Sequence, residues 1–189
     1  MKKLALLCML LIASLCFAQK FEVTATGLKA VNEDPTKNYI VLDIPGKTAK
    51  ELYETAFKYT TAKDADSQLK KYLSDITPDE QVSFKCTEKS MLHFKAGFGT
   101  VLVYDGEFTV QLNFKDGRAR MEIQDFTLTS SNKDLPEAKF PFHALYNKKG
   151  ELKKVEEKKE LDGFFSNFVI NLTYVLKEGK AGVEVKEGW

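Results

Sequence analysis

The sequence has 189 residues, of which 43% are hydrophobic and 29% are charged, with 28 Lys and Arg against 27 Asp and Glu. This charge content excludes a membrane-embedded chain, and the apolar content excludes a disordered one, so we expect a soluble globular protein. Because only three cysteines are present, a disulfide-rich scaffold is excluded as well.

The N-terminal segment has the pattern of a secretory signal peptide. Two lysines precede the uncharged run Leu4–Leu15, which is too short to span a bilayer because spanning needs about 20 residues. Small residues follow the run and suit cleavage before Gln19. A lipid anchor on Cys16 would need a small residue before it, and Leu15 stands there. We therefore predict a signal peptide over residues 1–18 and a periplasmic or secreted protein.

Export changes the charge and cysteine counts. The exported chain would carry 26 basic and 27 acidic side chains, a formal charge of −1, which excludes the concentrated positive charge that a nucleic-acid binder needs. Cys86 would be its one cysteine, so no intrachain disulfide can form. Since no internal repeat or linker appears, we divide the exported chain into a lead-in at 19–37, a single domain at 38–180 and a tail at 181–189.

The first half of the chain predicts a strand, a tight turn and a helix. Weak alternation over Phe21–Ala30 indicates a first short strand before a turn at Asn32–Pro35, and the β-branched run Asn38–Ile44 indicates a mostly buried strand. Directly afterwards, Thr48 and Glu51 have the spacing of a capping box at a helix start. The apolar face of this helix would be formed by Leu52, Tyr53, Ala56 and Phe57.

The middle of the chain changes from helical spacing to strand alternation. Apolar residues at spacings of three and four predict one or two further helical turns over Asp66–Leu73. From Gln81 to Ser130 the period becomes two, which indicates an antiparallel meander of about four strands. Asp105–Gly106 and Asp116–Gly117 are predicted hairpin turns, and the glycines at 97 and 99 predict a bend or bulge.

The C-terminal part predicts one long helix. The charge-dense stretch Asn147–Glu160 is interpreted as a solvated hairpin end or helix start. A broad apolar stripe then follows, formed by Leu161, Phe164, Phe165, Phe168, Val169, Leu172, Val175 and Leu176. The opposite face carries no charge and is formed by Ser166, Asn167, Ile170, Thr173 and Tyr174. We expect this face either to be covered by the tail Lys180–Trp189 or to meet a partner.

Three segments resemble a known family: NYIVLDIPGKTAKELYETAFKY, FKCTEKSMLHFKAGFG and FTVQLNFKDGRARMEIQDF. Over about Asn38–Leu128 they are similar to the secreted bacterial domain-of-unknown-function family 4468, which has a TBP-like fold. The matching motif residues are Pro45, Gly46, Leu52, Tyr53, Asp116, Gly117, Arg118 and Arg120. Two positions depart from the family, since Tyr59 replaces a usual Trp and Ala119 replaces an aromatic residue.

The resemblance implies an α+β protein with a curved antiparallel sheet and two main helices packed on one face, in the order strand, helix, meander, helix. It implies no biochemical activity, because none is established for the family. The name of the fold does not carry DNA binding to this chain, since neither the predicted compartment nor the charge fits.

The sequence contains no recognisable catalytic or metal-binding motif. His93 and His143 are far apart and lack ligand spacing, so we predict no metal and no cofactor. Cys86 alternates with inward-facing residues and should be buried as a small hydrophobe. Glu122 and Asp125 would lie on opposite faces of a regular strand and therefore form no carboxylate pair.

Arg118 and Arg120 are the only two arginines, and they share one face of a predicted strand. They are the best candidate anion contact. The competing interpretation pairs them with acidic side chains as surface salt bridges, the candidates being Glu107, Glu122 and Asp116. The candidate binding residues of the whole chain are Arg118, Arg120, Tyr174 and Trp189.

These observations favour a non-catalytic binding or interaction module of the bacterial envelope, with an unknown protein, glycan or lipid as its partner. One alternative is a hydrolase whose site is assembled from residues distant in sequence, which a polar cleft with clustered carboxylates or His143 would indicate. A second alternative is a small apolar-ligand carrier, which a large phenylalanine-lined void would indicate.

Overall fold

The computed structural model describes residues 19–31, 34, 36–62, 69–132 and 139–179. The predicted signal peptide and the predicted tail at 181–189 therefore lie outside the described residues. The strands and helices, in chain order, are β1 (Lys20–Thr24), β2 (Gly27–Val31), β3 (Tyr39–Asp43), α1 (Ala49–Thr61), β4 (Leu69–Thr77), β5 (Gln81–Gly97), β6 (Thr100–Lys115), β7 (Arg118–Ser130), a short 3₁₀ helix (Phe142–Leu145) and α2 (Val155–Glu178).

Five strands form one antiparallel sheet in the order β3-β7-β6-β5-β4. Both helices pack on the same face of this sheet, and the chain follows the predicted order of strand, helix, meander and helix. The fold class expected from the sequence, an α+β protein with a curved antiparallel sheet and two helices on one face, is confirmed.

The segment before β3 forms a separate two-stranded hairpin, β1–β2, where the sequence predicted one strand. Its chain reverses before Gly27, whose φ of 115° is one that side-chain-bearing residues rarely adopt. Phe21 and Val23 are buried in the core, and the Val23 N–H donates to Asp162 Oδ1 on α2 at 2.8 Å. The hairpin thus packs against the second helix.

Helix α1 begins at the predicted capping box. The Glu51 N–H donates to Thr48 Oγ1 at 3.2 Å, and the Thr48 N–H donates to Glu51 Oε2 at 2.8 Å. These two bonds satisfy backbone donors that have no partner within the helix. Leu52 and Ala56 are fully buried, so the predicted apolar face points into the core.

The centre of the core is a cluster of phenylalanine rings between β6 and α2. Phe108 lies in edge-to-face contact with four other rings, at centroid distances from 5.4 to 6.5 Å; these are Phe126, Phe164, Phe165 and Phe168. Because aromatic edges and faces carry opposite partial charges, edge-to-face contacts stabilise the core beyond what the burial of apolar area contributes. The final helix and its apolar stripe are therefore as predicted.

The second predicted helix is wrong for the part of it that the structure describes. Leu69–Thr77 is the strand β4, which pairs antiparallel with Gln81–Glu88 of β5; residues 66–68 lie outside the described part. The apolar spacing did not mark a buried helix face, since Leu73 and Ile76 stay 38% and 40% exposed. Pairing with the open edge of β5 supplies the backbone hydrogen bonds and overrides the local preference.

Asp105–Gly106 is also not the predicted turn, because it lies inside β6 opposite a bulge in β5. Asp105 Oδ1 accepts the Ser90 N–H at 2.9 Å and the Ser131 hydroxyl at 2.7 Å, which fixes that bulge. A Cβ on Gly106 would lie 2.0 Å from Met91 Sδ. The glycine is therefore needed for close packing, and Gln81–Ser130 contains three long strands where about four were expected.

The remaining turns agree better with the sequence. Asp116–Gly117 connects β6 to β7 as predicted. Phe98–Gly99 is the tight turn of the β5–β6 hairpin, and the register shift between Lys95 and Gly97 beside it agrees with the expected bulge. At the start of the charge-dense stretch, a bridge between Tyr146 and Leu152 closes a small turn, and α2 begins at Val155. Both the hairpin end and the helix start expected there are present.

Exchanging glycine for alanine tests the packing at Gly106 against a matched position. We expect Gly106→Ala to lower the free energy of unfolding by about 1–3 kcal/mol, because the new methyl group collides with Met91. Gly163→Ala, on the exposed side of α2 with open space around it, should raise it by about 0.5–1 kcal/mol. Urea denaturation measures both. Equal effects of the two variants would contradict this account of Gly106.

Candidate functional site

The face of the sheet opposite the helices is lined by polar side chains. Strand alternation sends the buried residues of each strand toward the helices and the intervening residues to the other face. One register row crosses all five strands on this open face and consists of Val41, Arg120, Asn113, Gln81 and Thr77. Arg120, and Arg118 two residues before it on β7, therefore lie on the solvent-facing side of the sheet.

The turn before β7 positions Arg118 and Arg120. Gly117 donates its N–H to the Lys47 carbonyl at 2.8 Å and accepts the Ile44 N–H at 2.7 Å. The Ala49 N–H, in the first turn of α1, donates to Asp116 Oδ1 at 2.8 Å. The two motifs that carry the family resemblance are thus bonded to one another, and Arg118 follows this fixed turn directly.

A depression of about 620 Å³ opens at the end of the sheet where β3, β7 and β6 lie beside the β4–β5 turn. Its volume lies within the range of about 300–1,000 Å³ that is usual for small-molecule sites. It is lined by Tyr39, Val41, Glu80, Asn113, Phe114, Lys115, Arg118 and Arg120.

Positive charge prevails in this depression. Arg120 is paired with Glu122, with Nη2 2.7 Å from Oε1, and its guanidinium carbon lies 5.0 Å from the centre of the Tyr39 ring. Among the described residues, neither Lys115 nor Arg118 has an ion-pair partner, and Glu80 is the acidic side chain of the lining. An anion would therefore meet two cations that have no ion pair among the described residues, with Asp43 opposite Arg118 on β3, beside a third cation that is paired with Glu122.

Asn113 adds a polar group without a partner. Its side-chain Nδ2 is shielded from solvent and has no hydrogen-bond acceptor among the described residues. Asn113 lies between Gln81 and Arg120 in the register row. A buried donor without an acceptor is destabilising, so this amide marks a place where an acceptor from outside the chain would be favourable.

The structure separates the candidate binding residues predicted from the sequence. Arg118 and Arg120 line the same depression. Tyr174 is 39% exposed, but it lies on the solvent side of α2 and hence beyond the opposite face of the sheet. Trp189, and the tail expected to cover the uncharged face of α2, lie outside the described residues.

Of the salt bridges that the sequence suggested between the arginines and nearby acidic residues, one is present among the described residues. Arg120 pairs with Glu122 as expected, whereas Glu107 pairs with Lys85 at 2.6 Å and Asp116 is engaged by the start of α1. Sequence reasoning missed Asn113 and Lys115. The signal was present, because alternation across the two-residue turn places both on the same face as the arginines.

The other candidate groups have structural roles. Cys86 is buried, and this burial raises the pKa of its thiol to about 12, as expected for a core residue. His93 lies at the surface with Nδ1 2.8 Å from Glu160 Oε1, and His143 is exposed on the 3₁₀ helix. Within the described ranges no group of three or more His, Cys, Asp or Glu side chains could hold a metal ion.

Glu88 is a buried carboxyl group on the helix-facing side of the sheet. It is only 9% exposed, and burial raises its pKa from the ordinary value to about 7. It follows Cys86 by two residues on β5 and lies opposite Gly106 of β6. The group is remote from the depression, because it projects from the other face.

Comparison with solved structures found two similar chains. A DUF4468 family protein from Bacteroides ovatus matches with a TM-score of 0.52 and 15% identity, over 85% of this chain and 94% of that chain. A TBP-like protein from Parabacteroides distasonis matches with a TM-score of 0.49 and 10% identity, over 75% of this chain and 92% of that chain. The first match confirms the fold implied by the resemblance to family 4468; at this identity it shows the fold alone.

No protein-family model matches the sequence, and no curated protein matches it. None of the helices in the described part of the chain combines the length and apolar character needed to cross a membrane.

Glu88→Gln tests the buried carboxyl group through the pH dependence of stability. Because the folded-state pKa is raised to about 7, the folded protein binds more protons than the unfolded chain between the two pKa values. The stabilisation that the raised pKa of Glu88 gives the folded state is therefore fully present below the unfolded pKa, and it is lost as the pH rises through about 7. We expect Glu88→Gln to be more stable than the parent at pH 8 and to lose this advantage toward pH 5.

Urea denaturation from pH 5 to pH 8 measures this difference. The exposed Glu54→Gln variant on α1 is the control for removal of one carboxylate. A constant difference between Glu88→Gln and the parent over this range would show that the carboxyl group is not buried as described.

Proposed function

We propose that the chain is a non-catalytic binding module of the bacterial envelope, and that it holds an oxyanion-bearing ligand on the open face of its sheet. The observation that carries this proposal is the combination, in one depression, of two cations and the solvent-shielded Asn113 amide, the cations having no ion pair and the amide no acceptor in the part of the chain that the structure describes. A carboxylate, phosphate or sulfate group would supply the missing negative charge and the missing acceptor at once.

The neighbouring side chains support a ligand larger than a free ion. The volume of about 620 Å³ admits a sugar or a comparable small molecule, and Tyr39 presents an aromatic ring at the edge. Gln81 continues the polar row beyond Asn113. The proposed ligand is therefore an acidic glycan unit or another small molecule with an oxyanion group.

The non-catalytic part of the proposal rests on chemistry. Acid–base or nucleophilic catalysis needs an activated group within hydrogen-bond reach of a second one. In the depression the cations stand beside an amide and the single carboxylate of Glu80, and both histidines lie elsewhere. Such a set can hold an anion, but it offers no general base paired with a nucleophile.

Envelope location rests on the residue pattern at 1–18, with its two lysines, uncharged run and small residues. An acidic glycan or lipid headgroup of the envelope would be within reach of a protein exported in this way.

Isothermal titration calorimetry tests the ligand class on the chain that begins at Gln19. We expect inorganic phosphate and trigalacturonate, an acidic glycan, to bind in low-salt buffer, and maltotriose, an uncharged glycan, not to bind. Arg118→Gln should weaken oxyanion binding about tenfold or more, because one charge-assisted hydrogen bond is lost.

The control is Lys85→Gln, which removes a cation from the same sheet face at a position already paired with Glu107. Its affinity should match that of the parent. Binding of maltotriose as strong as that of trigalacturonate, or identical affinities of Arg118→Gln and the parent, would refute the proposed site.

A pull-down from a native envelope extract would identify the natural ligand. The Gln19–Trp189 chain is the bait, and mass spectrometry is applied to proteins and to small molecules that copurify. The proposal expects an oxyanion-bearing molecule that is lost from the Arg118→Gln bait. An apolar lipid retained equally by both baits would instead favour a carrier.

A further inference from the structure

The β5–β6 hairpin extends beyond the rest of the sheet. β4 pairs with β5 only as far as Glu88, and β7 pairs with β6 only from Tyr104 onward. Among the described residues, the two-stranded segment Leu92–Val103, here called the arm, therefore has no strand paired with it on the β4 side, and Glu160 and Glu157 of α2 accept its His93 and Lys95 N–H groups at 3.3 and 3.4 Å. Its other strand meets the body of the protein near the base of the arm. There the Ser131 N–H donates to the Val103 carbonyl at 2.9 Å.

The tip of the arm exposes apolar side chains at an unfavourable turn. Every residue from Lys95 to Val101 is exposed; Phe98 is fully exposed and Val101 is 50% exposed. Phe98 and Gly99 have φ values of 48° and 78°, so both adopt the left-handed conformation of a tight hairpin turn. Asn-Gly suits this turn, whereas a phenylalanine adds backbone strain there without gaining burial. The isolated fold does not account for Phe98.

The charged side chains of the arm itself are basic, although Glu157 and Glu160 of α2 contact its lower part at Lys95 and His93. The stretch Lys89–Tyr104 contains no acidic residue. Lys154 lies against the arm, since its Nζ donates to the Lys95 carbonyl and stands 4.7 Å from the centre of the Phe94 ring. Its neighbour Lys153 is exposed and has no ion pair among the described residues. Lys154 is paired with Glu157, so Lys95 and Lys153 are the exposed lysines near the ring that have no ion pair among the described residues.

We propose that the tip of the arm docks on an anionic lipid surface, with Phe98 inserted among the acyl chains and Lys95 and Lys153 near the phosphate groups. A protruding tip fits a bilayer better than a protein surface, because a stable protein interface buries about 800 Å² on each partner. An inserted apolar side chain and nearby lysines are two separate contributions to reversible binding, one from the acyl chains and one from the anionic headgroups. This surface is separate from the depression on the sheet, so the inference does not depend on the proposed ligand.

Sedimentation with lipid vesicles tests the proposal on the chain that begins at Gln19. Vesicles of phosphatidylglycerol and phosphatidylcholine should bind the protein, vesicles of phosphatidylcholine alone should bind it weakly, and added salt should reduce binding. Phe98→Asn should lower the partition coefficient about tenfold or more, because the apolar contact is lost. Asparagine suits the turn, so the variant is expected to fold.

The matched control is Ile170→Gln, which removes an exposed apolar side chain from α2, away from the arm. It should bind vesicles as the parent does. Lys95→Gln and Lys153→Gln should each weaken binding to the anionic vesicles by about fivefold, since each lysine near the surface contributes to the attraction. Equal binding by Phe98→Asn and the parent would overturn the proposal.

Tryptophan fluorescence distinguishes insertion from electrostatic adsorption alone. In a Trp189→Phe background, Phe98→Trp places the sole tryptophan at the tip. Its emission should shift to shorter wavelength when anionic vesicles are added. A tip tryptophan that stays in water in their presence would overturn the proposal, and docking into a protein pocket would give that result.

Discussion

Burial of one face of the sheet against the two helices is the constraint on which the rest of the structure depends. Phe108 is fully buried at the centre of this interface, in contact with rings from β7 and α2. Because successive side chains of a strand point to opposite faces, fixing Phe108 inward also fixes the outward row of β6, which includes Asn113 and Lys115. The composition of the open face is thus set by the packing of the closed one.

Two bulges, one on β7 and one on β5, keep apolar side chains directed toward the helices along these long strands. On β7, Asp125 has a φ of 54° and adds one residue to the strand opposite Phe108. Regular pairing beyond Ile123 would turn Asp125 toward the core, whereas the bulge lets Phe126 and Leu128 face the helices. The bulge on β5 places Met91 over Gly106 in the same way. Both allow one continuous core under a sheet that bends.

Some of the motif residues that carry the resemblance make hydrogen bonds that stabilise the fold, and others line the candidate site. Gly117 and Asp116 join the β6–β7 turn to the loop before α1, while Arg118 and Arg120 begin the strand that follows. The residue types at these positions can therefore reflect the requirements of the fold, of the candidate site, or of both. The variants chosen for the site alter the arginine side chains and leave the turn intact.

Local signals predicted the elements whose stabilising contacts are local. The capping box at Thr48 and the apolar stripe of α2 were identified from the sequence because their partners are three or four residues away. The strand β4 was mistaken for a helix because its stability comes from pairing with β5, which apolar spacing does not reveal. Asp105–Gly106 has turn chemistry, yet Met91 and Ser90 use it to stabilise a bulge.

The sequence predicted the arginines of the candidate site but not Asn113 or Lys115, because the site depends on contacts between strands that are distant in sequence. The arginines stand out in the sequence because no others exist, whereas Asn113 becomes notable only when its three-dimensional surroundings show no acceptor. Separating Tyr174 from the arginines likewise required knowledge of which face of the sheet the helices cover. Composition could suggest an anion contact, but only the register across strands assembles it.

The most direct test of the account is a nuclear magnetic resonance titration that follows the side-chain amide of Asn113 as phosphate is added. The account predicts saturable shifts of the Asn113 side-chain amide and of the Arg118 guanidinium resonances, with the Cys86 and Glu88 backbone amides on the helix-facing side unchanged. Shifts distributed evenly over surface lysines, with Asn113 unmoved, would contradict the claim that the open face carries an oxyanion site.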